Sequence, residues 1–171
     1  MVRAVGALLL IAGASAWGVA GAAELSRRAR QLRAMASALR TMESEICSSL
    51  TPMEGVLHTV SCGANGSVRR FFENVTAGFS DIGGSTFAQV WQRAAENTPE
   101  LPFSRAEKLT LIQLGRSLGR YDAQEQRAAL EYAIMRFESF CARAEEDKRE
   151  KFRLNAFMGV AAGVFAVVIL L

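Results

Sequence analysis

The chain of 171 residues contains little of what catalysis, metal binding or a disulfide framework requires. It has one histidine and three cysteines, and no two cysteines have the CxxC spacing of a zinc or redox site. The phosphate-binding pattern GxxxxGK[ST], the zinc-protease pattern HExxH and the nucleophile pattern GxSxG are all missing. His58 has no acid or thiol predicted to pair with it, so we interpret it as a lone surface or groove side chain. We therefore expect a protein that is not an enzyme and that needs no metal and no cofactor.

A strong charge of one sign is also missing. All 17 acidic residues and 19 of the 20 basic ones lie between Glu24 and Arg153, and the remaining charge is Arg3. Nineteen basic residues against seventeen acidic ones leave this middle region with a formal charge of only +2. The sequence pI of about 9.0 therefore does not indicate a nucleic-acid partner, and nothing in the sequence indicates a small-molecule substrate.

Two long apolar segments bracket the charged middle region. Residues 4–23 are twenty consecutive uncharged residues, and residues 154–171 are eighteen more, with Asn155 as the one strongly polar side chain. A helix of twenty residues spans about 30 Å, the thickness of the hydrocarbon core of a bilayer. We predict an N-terminal transmembrane anchor within residues 1–23 and a C-terminal transmembrane helix over 154–171. In the second segment Gly159 and Gly163 form a GxxxG pair, a pattern typical of closely packed membrane helices.

The charges beside these segments predict their orientation. Four cationic side chains follow the first segment and four precede the second, and such clusters remain on the cytoplasmic side of a membrane. We therefore expect residues 24–153 in the cytoplasm. The alternative is a signal peptide cleaved near Gly21–Ala23, which would leave an exported helical binding module, released or held by its C-terminal tail. The cationic residues are Arg27, Arg28, Arg30, Arg33, Lys148, Arg149, Lys151 and Arg153.

The middle region has the periodicity of helices and no convincing strand. Leu25, Leu32, Leu39 and Ile46 recur every seven residues, and Met35 and Met42 lie between them. This stripe predicts an amphipathic helix that docks within a bundle. The fold class we predict is all-α, a six-helix cytoplasmic bundle over residues 24–153. The later helices are predicted to begin at the N-cap residues Thr51, Ser67, Thr86, Ser104 and Asp122.

Glycines mark the predicted helix ends and close approaches. Cys62–Gly66 predicts a loop, and Gly119 follows the fifth helix at the position where a left-handed C′ residue is expected. Gly115 costs a helix interior about 1 kcal/mol relative to alanine, so we predict that it marks close packing between helices, together with Gly119 four residues later. The run Asp122–Gly159 contains no proline and no glycine before its last residue. It predicts a last helix that continues into the C-terminal transmembrane segment.

Two strings in the sequence are distinctive when they are read together. The first is ExEI at Glu43–Ile46, followed by Thr51–Pro52, and the second is LGxxLGxxDxxxQ over Leu114–Gln126. With Arg30–Arg33, the Phe87 and Trp91 pair and both terminal segments, the similarity covers essentially the whole chain. The sequence resembles the stage III sporulation protein AB family of endospore-forming bacteria.

This resemblance implies a function that the residues alone do not give. Members of the family are encoded with other stage III proteins, which assemble a secretion-like channel complex between the mother cell and the forespore. Their cytoplasmic domain is similar to the six-helix domain of the inner-membrane platform protein of type II secretion systems and type IV pili. The implied partners are a secretion-type ATPase, similar to stage III sporulation protein AA, and the other stage III membrane proteins. We therefore expect a non-catalytic platform component on the mother-cell side of the outer forespore membrane.

Charged side chains within the two strings are the candidates for contact with the ATPase. They lie near the predicted end of the first helix and around the turn between the fifth and sixth helices. Asp122 also has a purely structural interpretation, since an aspartate at this position caps a helix. The candidates are Glu43, Glu45, Arg116, Arg120 and Asp122.

Overall fold

A computed structural model describes the backbone of residues 2–47, 51–80, 84–98, 100–119 and 122–170. It describes the side chains of residues 24–47, 51–79, 84–98, 100–119, 122 and 124–154. All regular secondary structure in these ranges is α-helical, which confirms the predicted all-α class and its six helices. The helices are α1 (Val2–Cys47), α2 (Met53–Gly63), α3 (Gly66–Ser80), α4 (Phe87–Asn97), α5 (Arg105–Leu118) and α6 (Ala123–Leu170).

The chain divides into two compact units. One, which we call the central unit, is residues 28–142, and the other, the terminal unit, is residues 1–27 together with residues 143–171. In the part of the chain whose side chains are described, no helix is long and apolar enough to cross a membrane. The predicted transmembrane segments, residues 4–23 and all of 154–171 except Leu154, lie outside those side chains. Both transmembrane assignments stay predictions.

The core of the central unit is formed by the apolar stripes that the sequence predicts. The stripe of α1 is completely buried at Leu32, Met35, Leu39 and Met42, as its seven-residue repeat predicts. The other fully buried large side chains come from every later helix. They are Val56, Leu57, Phe71, Phe72, Trp91, Leu111, Leu130 and Phe137.

Trp91 is the centre of the packing among α3, α4 and α5. Its ring lies 5.0 Å from the ring of Phe71 and 5.8 Å from that of Phe72, both edge to face, an arrangement that aromatic pairs favour. Its indole Nε1 donates a hydrogen bond of 2.8 Å to the carbonyl oxygen of Leu111. The one hydrogen-bond donor of the buried indole therefore has an acceptor in α5, the helix against which the ring packs.

Three of the predicted N-caps are confirmed. Thr86 and Ser104 each form a capping box, in which the hydroxyl accepts from the backbone N–H three residues later and that residue's side chain accepts in return from the backbone N–H of the cap residue. Asp122 Oδ1 accepts from the backbone N–H of Gln124 at 2.9 Å and of Glu125 at 3.4 Å. These contacts are local, so the sequence contains all of their partners.

The other two N-cap predictions are wrong because contacts from α1 replace the local ones. Pro52 takes the N-cap position of α2 without a side-chain cap, and Thr51 Oγ1 instead donates to Glu45 Oε2 at 2.8 Å. Helix α3 already begins at Gly66, so Ser67 lies inside it. Ser67 Oγ donates to Gln31 Oε1 of α1 at 2.8 Å.

Two predicted glycine features also differ from the structure. The predicted loop Cys62–Gly66 is shorter than expected, since α2 includes Gly63 and α3 begins at Gly66. Gly66 has a φ of 61°, the left-handed region that suits glycine. Gly119, for which we expect that conformation, instead has φ −77° and ψ 1°. It ends α5 without a left-handed turn.

Candidate functional site

Four of the five predicted contact residues lie within the described side chains. Glu43 and Glu45 are half-buried in the last turns of α1, Arg116 is exposed in the last turn of α5, and Asp122 is exposed at the start of α6. Arg120 lies outside the described residues. Over these described positions, no ion pair joins Arg116 or Asp122 to Glu43 or Glu45.

Glu45 stabilises the connection between α1 and α2. Its carboxylate accepts from the Thr51 hydroxyl at 2.8 Å, and its backbone carbonyl accepts from the Thr51 N–H at 3.2 Å. Both contacts close the same turn, so this side chain already has a structural role. Among the candidate acids, Glu45 is therefore less available than Glu43 for a partner.

Arg127 connects the end of α1 electrostatically with the start of α6. The pKa of its guanidinium is raised, first by a hydrogen bond to Glu131 at 2.9 Å and by the charge of that carboxylate. Cys47 and Glu43 of α1 contribute further to the same increase. Glu43 is therefore within electrostatic range of the first turns of α6, which Asp122 caps.

The turn between α5 and α6 is fastened by a side chain of α6. Gln126 Nε2 donates to the carbonyl oxygen of Leu118 at 3.2 Å, which satisfies a backbone acceptor at the end of α5. Arg116 lies in this same last turn, and its side chain is exposed. Glu43, Arg116, Asp122 and Arg127 therefore present both signs of charge on the ends of α1 and α5 and the start of α6. Such surfaces determine the specificity and rate of protein association more than its raw affinity.

The interpretation of His58 as a side chain without a neighbouring thiol is wrong. One helical turn brings Cys62 Sγ to 4.0 Å from both ring nitrogens of His58, because residues four apart share a helix face. Both side chains are exposed. The described side chains contain no group of three or more His, Cys, Asp or Glu residues that could hold a metal ion. The pair therefore offers at most two ligands.

The cysteines are more exposed than the sequence suggests. We expect small, partly buried, reduced side chains, and the structure buries Cys141 but exposes Cys47 and Cys62. All three are free thiols. The two exposed thiols are consequently suitable sites for chemical labelling.

The predicted packing glycines differ in their surroundings. A Cβ built on Gly115 would lie 2.2 Å from Trp91 Cδ1 and 2.4 Å from Trp91 Cγ, so only glycine lets the tryptophan occupy this position. A Cβ on Gly119 would meet nothing closer than 3.8 Å, which is ordinary contact. Gly159 and Gly163 lie outside the described side chains.

A half-buried ion pair within the central unit has no signal in the local sequence. Arg28 of α1 donates from Nη2 to Glu107 Oε1 of α5 at 2.7 Å, and the Glu107 side chain is only 3% exposed. The other carboxylate oxygen, Oε2, accepts from the backbone N–H of Ser104 at 2.6 Å. The sequence predicts Ser104 as the N-cap of α5, but the ion pair between Glu107 and a residue 79 positions away leaves no local signal.

Three comparisons with known proteins agree with one another. The family model of stage III sporulation protein AB matches residues 3–171. Stage III sporulation protein AB of Bacillus subtilis is 25% identical over 175 residues, and the alignment covers 100% of both chains. A solved structure of a stage III sporulation protein AB has a TM-score of 0.67 at 23% identity, covering 72% of this chain and 98% of that one. The chain therefore belongs to the stage III sporulation protein AB family, and its role is associated with sporulation.

Proposed function

We propose that this chain is a non-catalytic membrane platform component of a sporulation-specific, secretion-like channel complex. Two membrane helices anchor a cytoplasmic helical bundle, which receives a secretion-type ATPase and couples it to the other stage III membrane proteins. The observation that carries the proposal is the family match over residues 3–171. The orientation with the bundle on the mother-cell side follows from the cationic side chains that flank both apolar segments.

The coupling step that we propose is mechanical. Helix α6 is a single helix from Ala123 to Leu170, with Asp122 capping its first turn and the predicted C-terminal membrane segment in its last turns. A continuous helix resists bending better than two helices joined by a loop. Force applied by the ATPase at the start of α6 would therefore reach the membrane partners along this helix.

A pair of substitutions in the exposed part of α6 tests this transmission. Asp147→Gly with Glu150→Gly weakens the helix by about 1 kcal/mol per glycine relative to alanine. Asp147→Ala with Glu150→Ala removes the same two charges and keeps the helix. We expect the glycine variant to lower the yield of heat-resistant spores severalfold, whereas the alanine variant retains it. Equal spore yields at equal protein levels would contradict transmission through a rigid α6.

We further propose that the ATPase contacts the mixed-charge surface formed by Glu43, Arg116 and Asp122, with Glu45 and, from the sequence, Arg120 as further contact residues. Asp122 gives the cleanest test because asparagine is as good an N-cap as aspartate. We expect Asp122→Asn to unfold at the same denaturant concentration as the parent and to bind the ATPase more weakly in a pull-down. Asp122→Ala is the control, since it also loses the cap, at a cost of about 0.5–2 kcal/mol. Normal ATPase binding by Asp122→Asn would remove Asp122 from the contact.

A further inference from the structure

The outer side of α6 in the central unit carries an uncharged stripe. Ala128, Tyr132, Met135, Ser139 and Ala142 follow one another at alternating intervals of four and three residues. The Tyr132 side chain is 52% exposed and that of Met135 is 59% exposed, so both large side chains face solvent. The core side chains Leu130 and Phe137 of the same helix are completely buried. Within the central unit, α6 therefore has a second apolar side that the bundle leaves uncovered.

This stripe has the spacing of a coiled-coil seam. If Tyr132 and Ser139 are taken as a positions, then Ala128, Met135 and Ala142 fall at d positions. The flanking g positions are Glu131 and Glu138, and the flanking e position after Met135 is Arg136. One border of the stripe is thus acidic and the other basic.

These borders determine which partner fits. In a parallel pair of identical helices, each g side chain faces the e′ side chain of the next heptad on the other helix. Glu131 of one copy then meets Arg136 of the second, and the symmetry makes the contact twice. In an antiparallel pair, g faces g′, and the two acidic rows would repel each other. We propose that the stripe over Ala128–Ala142 is the contact surface for a second copy of this chain, with the two α6 helices parallel.

Within one chain the charged borders of the stripe make only solvent-exposed pairs. Glu138 pairs with Arg40 of α1, and these side chains are 45% and 59% exposed. Glu131 pairs with Arg127 at 2.9 Å, but these side chains are 53% and 61% exposed, and solvent screens such pairs.

Arg136 lies over the ring of Phe140, 4.8 Å from its centroid. No ion pair engages Arg136 among the described side chains, and its buried Nε has no hydrogen-bond partner there. The charge of this guanidinium is therefore left without an ion-pair partner among the described side chains, and a carboxylate of a second copy would pair with it through a nitrogen other than the buried Nε.

The stripe covers only about two heptads, so the dimer is expected to be weak and best detected by covalent capture. The background is the full-length chain in mild detergent with Cys47→Ser and Cys62→Ser, and with the buried Cys141 kept. Ala128→Cys places identical thiols across a parallel seam, whereas an antiparallel seam, in which a positions face d positions, places residue 128 opposite residue 139. Glu96→Cys, at an exposed position of α4, is the matched control.

We expect Ala128→Cys to form a disulfide-linked dimer on mild oxidation and Glu96→Cys to remain monomeric. Glu131→Arg alone, or Arg136→Glu alone, places like charges opposite each other at both symmetric contacts. Either variant should lower the cross-linked fraction about tenfold. The double variant restores opposite charges across a parallel seam and should restore cross-linking. Circular dichroism checks that each variant folds. If a charge-reversal variant does not fold, the double variant Glu131→Gln with Arg136→Gln is used in its place. This double variant should give an intermediate cross-linked fraction.

Three results would overturn the proposal. They are no disulfide at residue 128, a disulfide that forms only between Ala128→Cys and Ser139→Cys chains, and a double charge reversal that does not restore cross-linking. The first result would mean that the stripe contacts a different protein. The second would mean that two copies pair with their α6 helices antiparallel. The inference does not rest on the ATPase coupling proposed above, because the cross-linking is measured with this chain alone.

Discussion

At the scale of single residues, Glu107 shows how one carboxylate can stabilise two elements. One of its oxygens caps the start of α5 through Ser104, and the other holds Arg28 of α1. A buried carboxylate has to have partners for its oxygens, because leaving it without them is costly. Here the partners are a backbone N–H and a guanidinium, so the same side chain fixes both the beginning of α5 and its position against α1.

Gly115 gives the sharpest prediction at this scale. Gly115→Ala places a methyl group within 2.9 Å of three Trp91 atoms, so the buried tryptophan ring has to move. Overpacking of this kind costs about 1–3 kcal/mol, which exceeds the gain of about 1 kcal/mol from helix propensity. We expect a lower free energy of unfolding, measured by urea denaturation followed by circular dichroism.

Gly63→Ala is the matched control for that substitution. Gly63 is also a helical glycine, the last residue of α2, but a Cβ built there meets nothing within 4 Å. We expect its stability to be unchanged or raised by up to about 1 kcal/mol. If Gly115→Ala were as stable as Gly63→Ala, the tight contact with Trp91 would not be what requires glycine.

At the scale of elements, α3 begins in an unusual way. Its first turn is capped not by a residue of its own loop but by Gln31 of α1. Gln31 Oε1 accepts from the hydroxyl of Ser67 at 2.8 Å and from the backbone N–H of Val68 at 3.3 Å. A Cβ on Gly66 would lie 2.7 Å from Gln31 Nε2. The glycine thus makes room for the side chain that caps the helix.

We therefore expect Gln31→Ala to destabilise the protein by about 0.5–2 kcal/mol, the usual loss for a missing N-cap. Gln31→Glu should retain most of the stability, since a carboxylate oxygen accepts the same bonds and negative charge is favourable at a helix N-terminus. Chemical denaturation gives the free energies, and hydrogen exchange shows whether the loss lies in the first turn of α3. Equal losses for alanine and glutamate would contradict the capping role.

The elements also show which parts of the fold can be predicted from the sequence. The capping boxes at Thr86 and Ser104 involve partners three residues apart, so the local sequence contains them completely. Thr51 and Ser67 have local sequences equally typical of an N-cap. Their hydroxyls instead donate hydrogen bonds to Glu45 and Gln31 of α1. A side chain from a distant helix leaves no local pattern, so the local sequence predicts these two helix starts incorrectly.

At the scale of the whole molecule, the distribution of charged residues along the sequence predicts the membrane topology, and the distribution of apolar residues predicts the fold. The apolar residues of the middle region follow helical periods and predict the all-α core. The candidate contact residues follow from the family strings rather than from chemistry, and Glu43 of α1 is among the groups that raise the pKa of Arg127 near the start of α6. Neither a capping pattern nor a family string marks the α6 stripe with Tyr132 and Met135. Its spacing was visible, but only the structure shows which of the two apolar sides of α6 the bundle covers.

The central claim is that the helical bundle lies in the cytoplasm, where an ATPase can reach it. The native Cys62 is exposed, so a full-length variant with Cys47→Ser and Cys141→Ala carries one accessible thiol on the bundle. Intact cells are treated with a membrane-impermeant thiol reagent, and the same cells are treated after permeabilisation as the control for reactivity. The account predicts no labelling of Cys62 in intact cells and full labelling after permeabilisation. Labelling in intact cells would place the bundle outside the membrane and contradict the platform function in favour of an exported helical binding module.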